Sequence, residues 1–376
     1  MRALLFSLLL LLMLPAQAHK PSDSYLTVNV AGEKVTGQWD IALRDLDFAL
    51  NLDQDGNGEL TWDEVRGQHA HIAAYALSRL ALTNGQQACV LSAGEQLIDN
   101  HTDGAYTVLR FSAACPGKIN ALGVSYRLFA ELDPQHKGLL KLVADGTTST
   151  AIFSPDKASQ TLSLRSASKW TQFADYVKEG IWHIWIGFDH ILFLLSLLLP
   201  AVLLYKASEQ AQPQTEAQAF KVAFIDVLKV VTAFTLAHSI TLTLASLQVV
   251  SLPSRWVESA IAASVVIAAL NNIFPLFRGR RPHAAFAFGL LHGFGFATVL
   301  ADLGLPQGAL VLSLAGFNVG VEIGQLAIVA VFLPLAFLAR RTWFYRQLMT
   351  TGSALIALVA AVWLCERAFD IQLMPV

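Results

Sequence analysis

The second half of the chain is apolar over stretches long enough to cross a lipid bilayer, for which a helix needs about 20 residues. Residues 19–180, in contrast, have the composition of a soluble protein. We therefore predict a six-helix, all-α transmembrane domain over residues 181–366. The six predicted segments are 181–205, 222–250, 257–277, 284–301, 309–338 and 349–366.

The first 18 residues are predicted to be a secretory signal peptide. Arg2 supplies a positive start, residues 4–14 an apolar core, and Ala16-Gln17-Ala18 a small-residue cleavage site. Cleavage after Ala18 would export the domain that follows and leave His19 as the new N-terminus. An N-terminal histidine can chelate copper through its amine and imidazole, although cleavage can also leave a histidine there by chance.

The basic residues predict the orientation of the membrane domain. If the N-terminal domain is extracytoplasmic, the loops after the first, third and fifth segments are cytoplasmic and should be rich in Lys and Arg. Those loops contain Lys206, Lys221, Arg278, Arg280, Arg281, Arg340, Arg341 and Arg346. We expect a multi-pass protein of the bacterial inner membrane with a periplasmic N-terminal domain, an interfacial linker at 166–180 and a tail at 367–376. A net charge of −2 without a basic block gives no reason to expect a nucleic-acid partner.

Short alternating strands predict a β-sandwich over residues 19–165, interrupted by a helical unit at 41–82. The first two strands lie within residues 24–39, joined by a turn at Ala31-Gly32. Cys89 and Cys115 both fall in this exported part, where disulfides persist, so we expect them to pair.

Residues 53–64, DQDGNGELTWDE, match the EF-hand calcium loop at every diagnostic position, including the glycine at position 6. The pattern resembles the EF-hand family. The alternative is an acidic turn between two helices that binds no calcium. One such loop is visible, and these loops generally work in pairs, so we expect weak affinity, on the order of 10⁻⁴ to 10⁻³ M. The predicted calcium ligands are Asp53, Asp55, Asn57, Glu59, Thr61 and Glu64.

Ionisable side chains inside the apolar segments are costly, at least ~2.5 kcal/mol near the bilayer centre, so they predict a site. In the first segment His183 and His190 are seven residues apart, which places both imidazoles on one face of a continuous helix, while Asp189 points to an adjacent face that could meet a neighbouring helix. Taken singly, each of these polar residues is also explained by a hydrogen bond to a neighbouring helix. Taken together, the candidate residues are His183, Asp189, His190, His238, His292, Asn318, Glu322 and Gln325.

Imidazole and carboxylate ligands suit nickel, cobalt, zinc or copper(II) better than copper(I). The His183-x-x-x-Gly187-x-Asp189-His190 pattern resembles the opening motif of the HupE/UreJ membrane proteins, as do the stretches AHS, LHGFGFA and FNVGVEIGQ. This resemblance covers residues 180–366 and implies a nickel or cobalt permease with an extracytoplasmic N-terminal domain. The family's usual proline after the first histidine is Ile184 here, and its second histidine-rich helix is reduced to His292.

Two other functions remain open from sequence. A metal held by His183, His190 and His292, with Glu322 as general base, would suit an intramembrane hydrolase. A serine hydrolase built on His238-Ser239 is disfavoured because adjacent helical residues point about 100° apart. A calcium-responsive sensor that transports nothing is the third reading.

Overall fold

The computed structural model describes residues 23–101, 104–144, 147–164, 169–203, 215–275, 280–295, 297, 307–369, 371 and 373. The predicted signal peptide, His19 and most of the predicted tail lie outside these residues. Within them the chain divides into two compact units. The N-terminal unit takes the described residues of Lys20–Asp175 and Thr298–Ser313, and the helical unit those of Tyr176–Ala297 and Leu314–Val376.

The N-terminal unit is built on two sheets, as period-2 alternation in the sequence predicts. A six-stranded sheet has the order β5-β6-β2-β1-β8-β9 and a four-stranded sheet the order β10-β7-β3-β4. The strands β1 to β10 are Asp23–Ala31, Lys34–Ala42, Leu80–Asn84, Gln87–Ala88, Val90–His101, Gly104–Ala114, Ala121–Tyr126, Lys137–Ala144, Thr147–Phe153 and Ser159–Ser163.

The hydrophobic core of this unit draws on the inward-facing residues of both sheets. Leu26 and Trp39 of the larger sheet and Leu82 and Val124 of the smaller one are fully buried or nearly so. Neighbouring strands are mostly antiparallel, but β1 pairs with β8 in parallel. Sandwich architecture and the β1–β2 hairpin therefore agree with the sequence-based expectation.

Three short helices lie between β2 and β3: α1 at Leu43–Leu50, α2 at Trp62–Gly67 and α3 at His69–Leu77. The predicted helical unit of 41–82 is thus slightly too long at both ends, because residues 41–42 complete β2 and 80–82 begin β3. The acidic loop, residues 53–64, begins after α1 and ends in the first turn of α2. Beyond it, Cys89 and Cys115 are joined by a disulfide with their Cα atoms 4.2 Å apart.

The helical unit follows the predicted order of apolar segments, with several differences in their bounds. Its helices, α4 to α11, are Lys169–Ile186, Phe188–Leu198, Glu216–Ser246, Ser254–Ile273, Arg281–His292, Gln307–Ala339, Trp343–Gln347 and Ser353–Phe369. A π-helical turn, Leu348–Gly352, joins α10 to α11. α4 begins within the N-terminal unit and continues into this one.

Among the described residues, three helices are long and apolar enough to cross a membrane, and a bent pair would make four. These spans are Ser254–Ile273, Gly308–Ala339 and Trp343–Phe369, and the pair is α4 with α5. The six predicted spans are therefore only partly supported. α6 has the length but is not among these spans, and α8 has 12 residues in the described part.

The first predicted segment is not one straight helix, and this corrects the sequence-based expectation. α4 runs from the predicted interfacial linker to Ile186, and α5 starts at Phe188 after a bend of 71°. Gly187 lies between them with φ −72° and ψ 94°, which is outside the helical region. The bend separates His183 on α4 from His190 on α5.

Candidate metal centre

Four imidazoles from four helices converge in the helical unit. The ring of His190 lies 4.5 Å from that of His183 and 5.1 Å from that of His292, centroid to centroid, and His238 is 6.1 Å from His183. Nitrogen atoms of His183, His190 and His238 all lie within 4.8 Å of one another, close enough to bind one ion. We call these four residues the histidine cluster.

Three of the four rings of the cluster are buried although they are polar. His238 and His292 are fully inaccessible and His190 is 6% exposed. Both ring nitrogens of His238 and the Nε2 atoms of His190 and His292 have no hydrogen-bond partner among the described residues. Buried polar atoms normally have a hydrogen-bond partner or a ligand, so three such rings side by side fit a site where their nitrogens bind an ion.

Hydrogen bonds at Nδ1 orient two of the rings. A carboxylate can only accept, so Nδ1 of His190 donates to Oδ1 of Asp189 at 2.9 Å. Nδ1 of His292 likewise donates to the carbonyl of Phe288 at 3.0 Å. Each bond places the proton on Nδ1 and leaves the lone pair on Nε2, so each ring can bind a metal through Nε2.

The helix break brings His183 and His190 together. In place of the continuous face predicted from their spacing, the two rings approach from the end of α4 and the start of α5. A Cβ at Gly187 would lie 2.7 Å from the His183 carbonyl oxygen and 2.8 Å from Nδ1 of His190. Only glycine fits between them, and transporters commonly build ion sites at such breaks.

Glycines also let the neighbouring helices approach. A Cβ at Gly180 of α4 would lie 2.1 Å from the carbonyl oxygen of Phe317, and one at Gly320 of α9 would lie 2.1 Å from that of Val177. On the other side of the cluster, Gly289 of α8 abuts the Phe234 carbonyl of α6 in the same way. These contacts hold α4, α6, α8 and α9 close enough for their side chains to share one site.

The sequence did not predict the contacts of Asp189 or of the polar stripe of α9, which consists of Asn318, Glu322 and Gln325. Asp189 was expected to reach a neighbouring helix, but its carboxylate bonds the adjacent His190 through both ring and backbone nitrogen. The α9 stripe faces α6. Glu322 accepts from Thr232 at 3.0 Å and Gln325 from Thr235 at 3.1 Å, while Asn318 donates to the Leu314 carbonyl.

The acidic loop of the N-terminal unit gathers the second group of candidate ligands. Carboxylate oxygens of Asp53, Asp55 and Glu64 lie within 4.8 Å of one another. Asp53 accepts from the backbone nitrogens of Gly56 and Gly58, both at 2.8 Å. Gly58 has a φ of +81°, which favours glycine at the sixth position of the loop.

Glu64 closes the loop at its other end. It accepts from the backbone nitrogen and hydroxyl of Thr61, at 2.9 and 2.7 Å, and from the backbone nitrogen of Gln54. These bonds, led by the one from the Thr61 backbone, lower the pKa of the Glu64 carboxyl, and the Gly58 backbone does the same for the pKa of Asp53. Both groups are therefore favoured as carboxylates. The other predicted ligands, Asn57 and Glu59, lie in the exposed turn between them.

A family comparison agrees with the motifs of the helical unit. Residues 158–367 match the model of a family described as HupE / UreJ protein, and no curated protein matches the chain. The match covers more than half of the sequence and includes every residue of the histidine cluster. With apolar helices of membrane-spanning length in the same region, the chain is a membrane protein, and it belongs to the HupE/UreJ family.

Proposed function

We propose that the chain is a divalent transition-metal permease of the bacterial inner membrane, with nickel or cobalt as its favoured cargo. The observation that carries this proposal is the convergence of four imidazoles, three of them buried, on a helix break in the membrane unit. The family is associated with nickel and cobalt transport, which agrees with the ligand chemistry. Zinc and copper(II) are the alternative cargoes.

In this proposal the histidine cluster binds the ion in transit. His183, His190 and His238 supply the closest set of nitrogens, and His292 lies beside His190 as the fourth imidazole. Asp189 orients His190. Such a site exchanges the water around a divalent ion for fixed ring nitrogens. These ligands offset the cost of removing the ion from water and select for metals that prefer imidazole.

Uptake of radioactive ⁶³Ni²⁺ into proteoliposomes tests the proposal directly. His190→Ala should abolish uptake because it removes a ligand and one half of the closest ring pair. His283→Ala is the matched control, since it removes an exposed imidazole at the start of α8. Equal uptake by the parent and the His190 variant would refute the proposal, and competition with Co²⁺, Zn²⁺ and Cu²⁺ would rank the cargoes.

Within the same proposal, the N-terminal unit is a periplasmic domain that binds one calcium ion in the acidic loop. Three clustered carboxylates and the turn at Gly58 support this. The ion would be held by Asp53, Asp55, Asn57, Glu59, Thr61 and Glu64. No observation points to a sensing role for this ion, so we propose a structural one.

The contacts of Ser239 support transport over a serine hydrolase. The serine alternative requires a free hydroxyl, but Oγ of Ser239 donates to the Thr235 carbonyl at 2.7 Å. The metal-hydrolase alternative requires Glu322 as a base beside the bound metal, and the carboxylate of Glu322 accepts from Thr232, a residue outside the histidine cluster.

A further inference from the structure

Phe193 and two phenylalanines that pack against it lie beside the histidine cluster. The ring of Phe193 is 5.3 Å from that of Phe234 and 5.6 Å from that of Phe288. The ring of His292 touches this group as well, at 5.0 Å from Phe193 and 5.2 Å from Phe234. We call Phe193, Phe234 and Phe288 the phenylalanine layer.

The layer comes from the same three helices as His190, His238 and His292, and it lies about one turn away from them. α5 carries His190 and Phe193, α6 carries His238 and Phe234, and α8 carries His292 and Phe288. Spacings of three or four residues correspond to about 4.5–6 Å along a helix. The phenylalanine follows the histidine on α5 but precedes it on α6 and α8. Because α5 runs in the opposite direction to these two helices, all three phenylalanines lie on the same side of the histidines.

The space beyond the layer is filled with apolar side chains. Leu197 of α5, Val230 of α6 and Ala285 of α8 belong to the buried core that also contains Phe193 and Phe234. Farther on, the three helices are tied by an ion pair: Arg281 of α8 donates to Asp226 of α6 and to the Leu197 carbonyl of α5. We call this the Arg281 end.

We propose that the phenylalanine layer is the closed gate on the route of the metal between the histidine cluster and the Arg281 end. A hydrated divalent ion cannot cross a packed apolar layer, and constrictions of this kind gate channels by excluding water. Phe193 lies on the short helix α5, whose attachment at Gly187 is the bend in the first segment. Rotation of α5 about that bend would withdraw one side of the layer. This inference rests on the proposed permease function.

Water access to a reporter thiol beyond the layer tests the gate without relying on transport. Ala285→Cys places the thiol on α8 between Phe288 and Arg281, at a position that is fully buried. Cys365→Ser removes the free cysteine of the described residues, and Cys89 and Cys115 are joined to each other. A positively charged, water-soluble methanethiosulfonate reagent is added to membranes that contain the full chain. Val230→Cys on α6 is a second reporter at the same depth.

The parent reporter should react slowly, and Phe193→Ala with Phe234→Ala should speed its modification by about tenfold or more. Phe337→Ala is the matched control, because Phe337 is a buried partner of Phe220 in the same core and lies outside the layer. Unchanged reactivity in the double variant, at both reporters, would overturn the gate. An equal increase in the Phe337 variant would do so too, since it would indicate general loosening.

Transport of ⁶³Ni²⁺ by the same proteins separates this inference from the permease proposal. A gated reporter in a parent that moves no nickel would refute the permease function and leave the water barrier standing. Nickel transport by the parent with a reporter that is insensitive to the double variant would leave the permease function standing and refute the gate.

Discussion

Asp189 accepts two hydrogen bonds from His190, one from its backbone nitrogen at 2.8 Å and one from its ring Nδ1 at 2.9 Å. Both bonds end on the same oxygen, Oδ1, so the carboxylate fixes the backbone and the ring of its neighbour together. The ring can then turn only its Nε2 toward the other imidazoles. In the proposed site Asp189 is accordingly a positioning residue, which would act on a bound metal through His190.

Asp189→Asn should therefore weaken metal binding by about tenfold to a hundredfold, the usual effect of losing a partner that orients a metal-binding histidine. An asparagine keeps the shape but can present its amide nitrogen to the ring, so the tautomer of His190 is no longer fixed. Calorimetry with Ni²⁺ on the purified protein measures this. Glu258→Gln, which neutralises a carboxylate bonded to Ser254, should leave the affinity unchanged. Parent-like affinity in the Asp189 variant would contradict the role.

Gly187→Ala should abolish metal binding while the protein still inserts. Its Cβ would fall within 2.8 Å of both the His183 carbonyl oxygen and the His190 ring, so one imidazole must move. Gly308→Ala is the control, because a Cβ there meets no other atom within 4 Å. Both variants are compared by Ni²⁺ calorimetry at equal folded content. Full binding in the Gly187 variant would mean that the break is not part of the site.

Glu64→Gln should abolish calcium binding by the N-terminal unit. The change removes the charged group that closes the loop and that would hold the ion with two oxygens. Asp63→Asn offers a close control: it neutralises the neighbouring exposed acid, at a loop position that supplies no ligand. Calorimetry with Ca²⁺ on the whole protein decides between them, and equal affinity in the two variants would exclude the EF-hand assignment.

Cys89→Ser should destabilise the N-terminal unit by about 2–5 kcal/mol, the usual cost of removing a disulfide from a small exported domain. The cysteines are 26 residues apart, so the bond closes a loop large enough to restrict the unfolded chain. Denaturant unfolding measures the loss, and mass spectrometry of non-reduced peptides establishes the pairing in the native protein. Two free thiols in the native protein would also argue against the proposed periplasmic location.

Ser239→Ala should leave nickel uptake unchanged within about twofold, since its hydroxyl bonds the backbone of its own helix and such bonds contribute little to a helix. A serine hydrolase would instead depend on this residue completely. Assay of the variant for ⁶³Ni²⁺ uptake beside His190→Ala therefore separates the two functions in one experiment.

The sequence predicted the sandwich because strand alternation is a local signal with a period of two. It indicated a site formed by the histidines of the apolar segments, because polar groups are costly in such segments. Both kinds of signal are carried by single segments. The sandwich sheets, the helical second half and the family are confirmed. The six spans are supported in part, and the calcium loop stays a prediction.

Other features could not be predicted because they arise between segments. Gly187 in an apolar run is compatible with a straight helix as well as a bend, so the sequence did not reveal the break. Phe193 and Phe234 are ordinary residues for a membrane helix, and only their contacts make them a layer. The hydrogen bonds between Asp189 and His190 also depend on the break, because they form in the first turn of α5, which starts at Phe188.

The break at Gly187 also brings two opposed helix poles to the histidine cluster. The end of α4 contributes the negative pole of a helix dipole and the beginning of α5 a positive pole, each equivalent to roughly half an elementary charge. These two poles nearly cancel. The negative pole at the end of α8, which is at His292, and the carboxylate of Asp189 in the first turn of α5 are not offset in this way. In the proposed site, the residue that orients His190 would therefore also help to attract a cation, without occupying a coordination position.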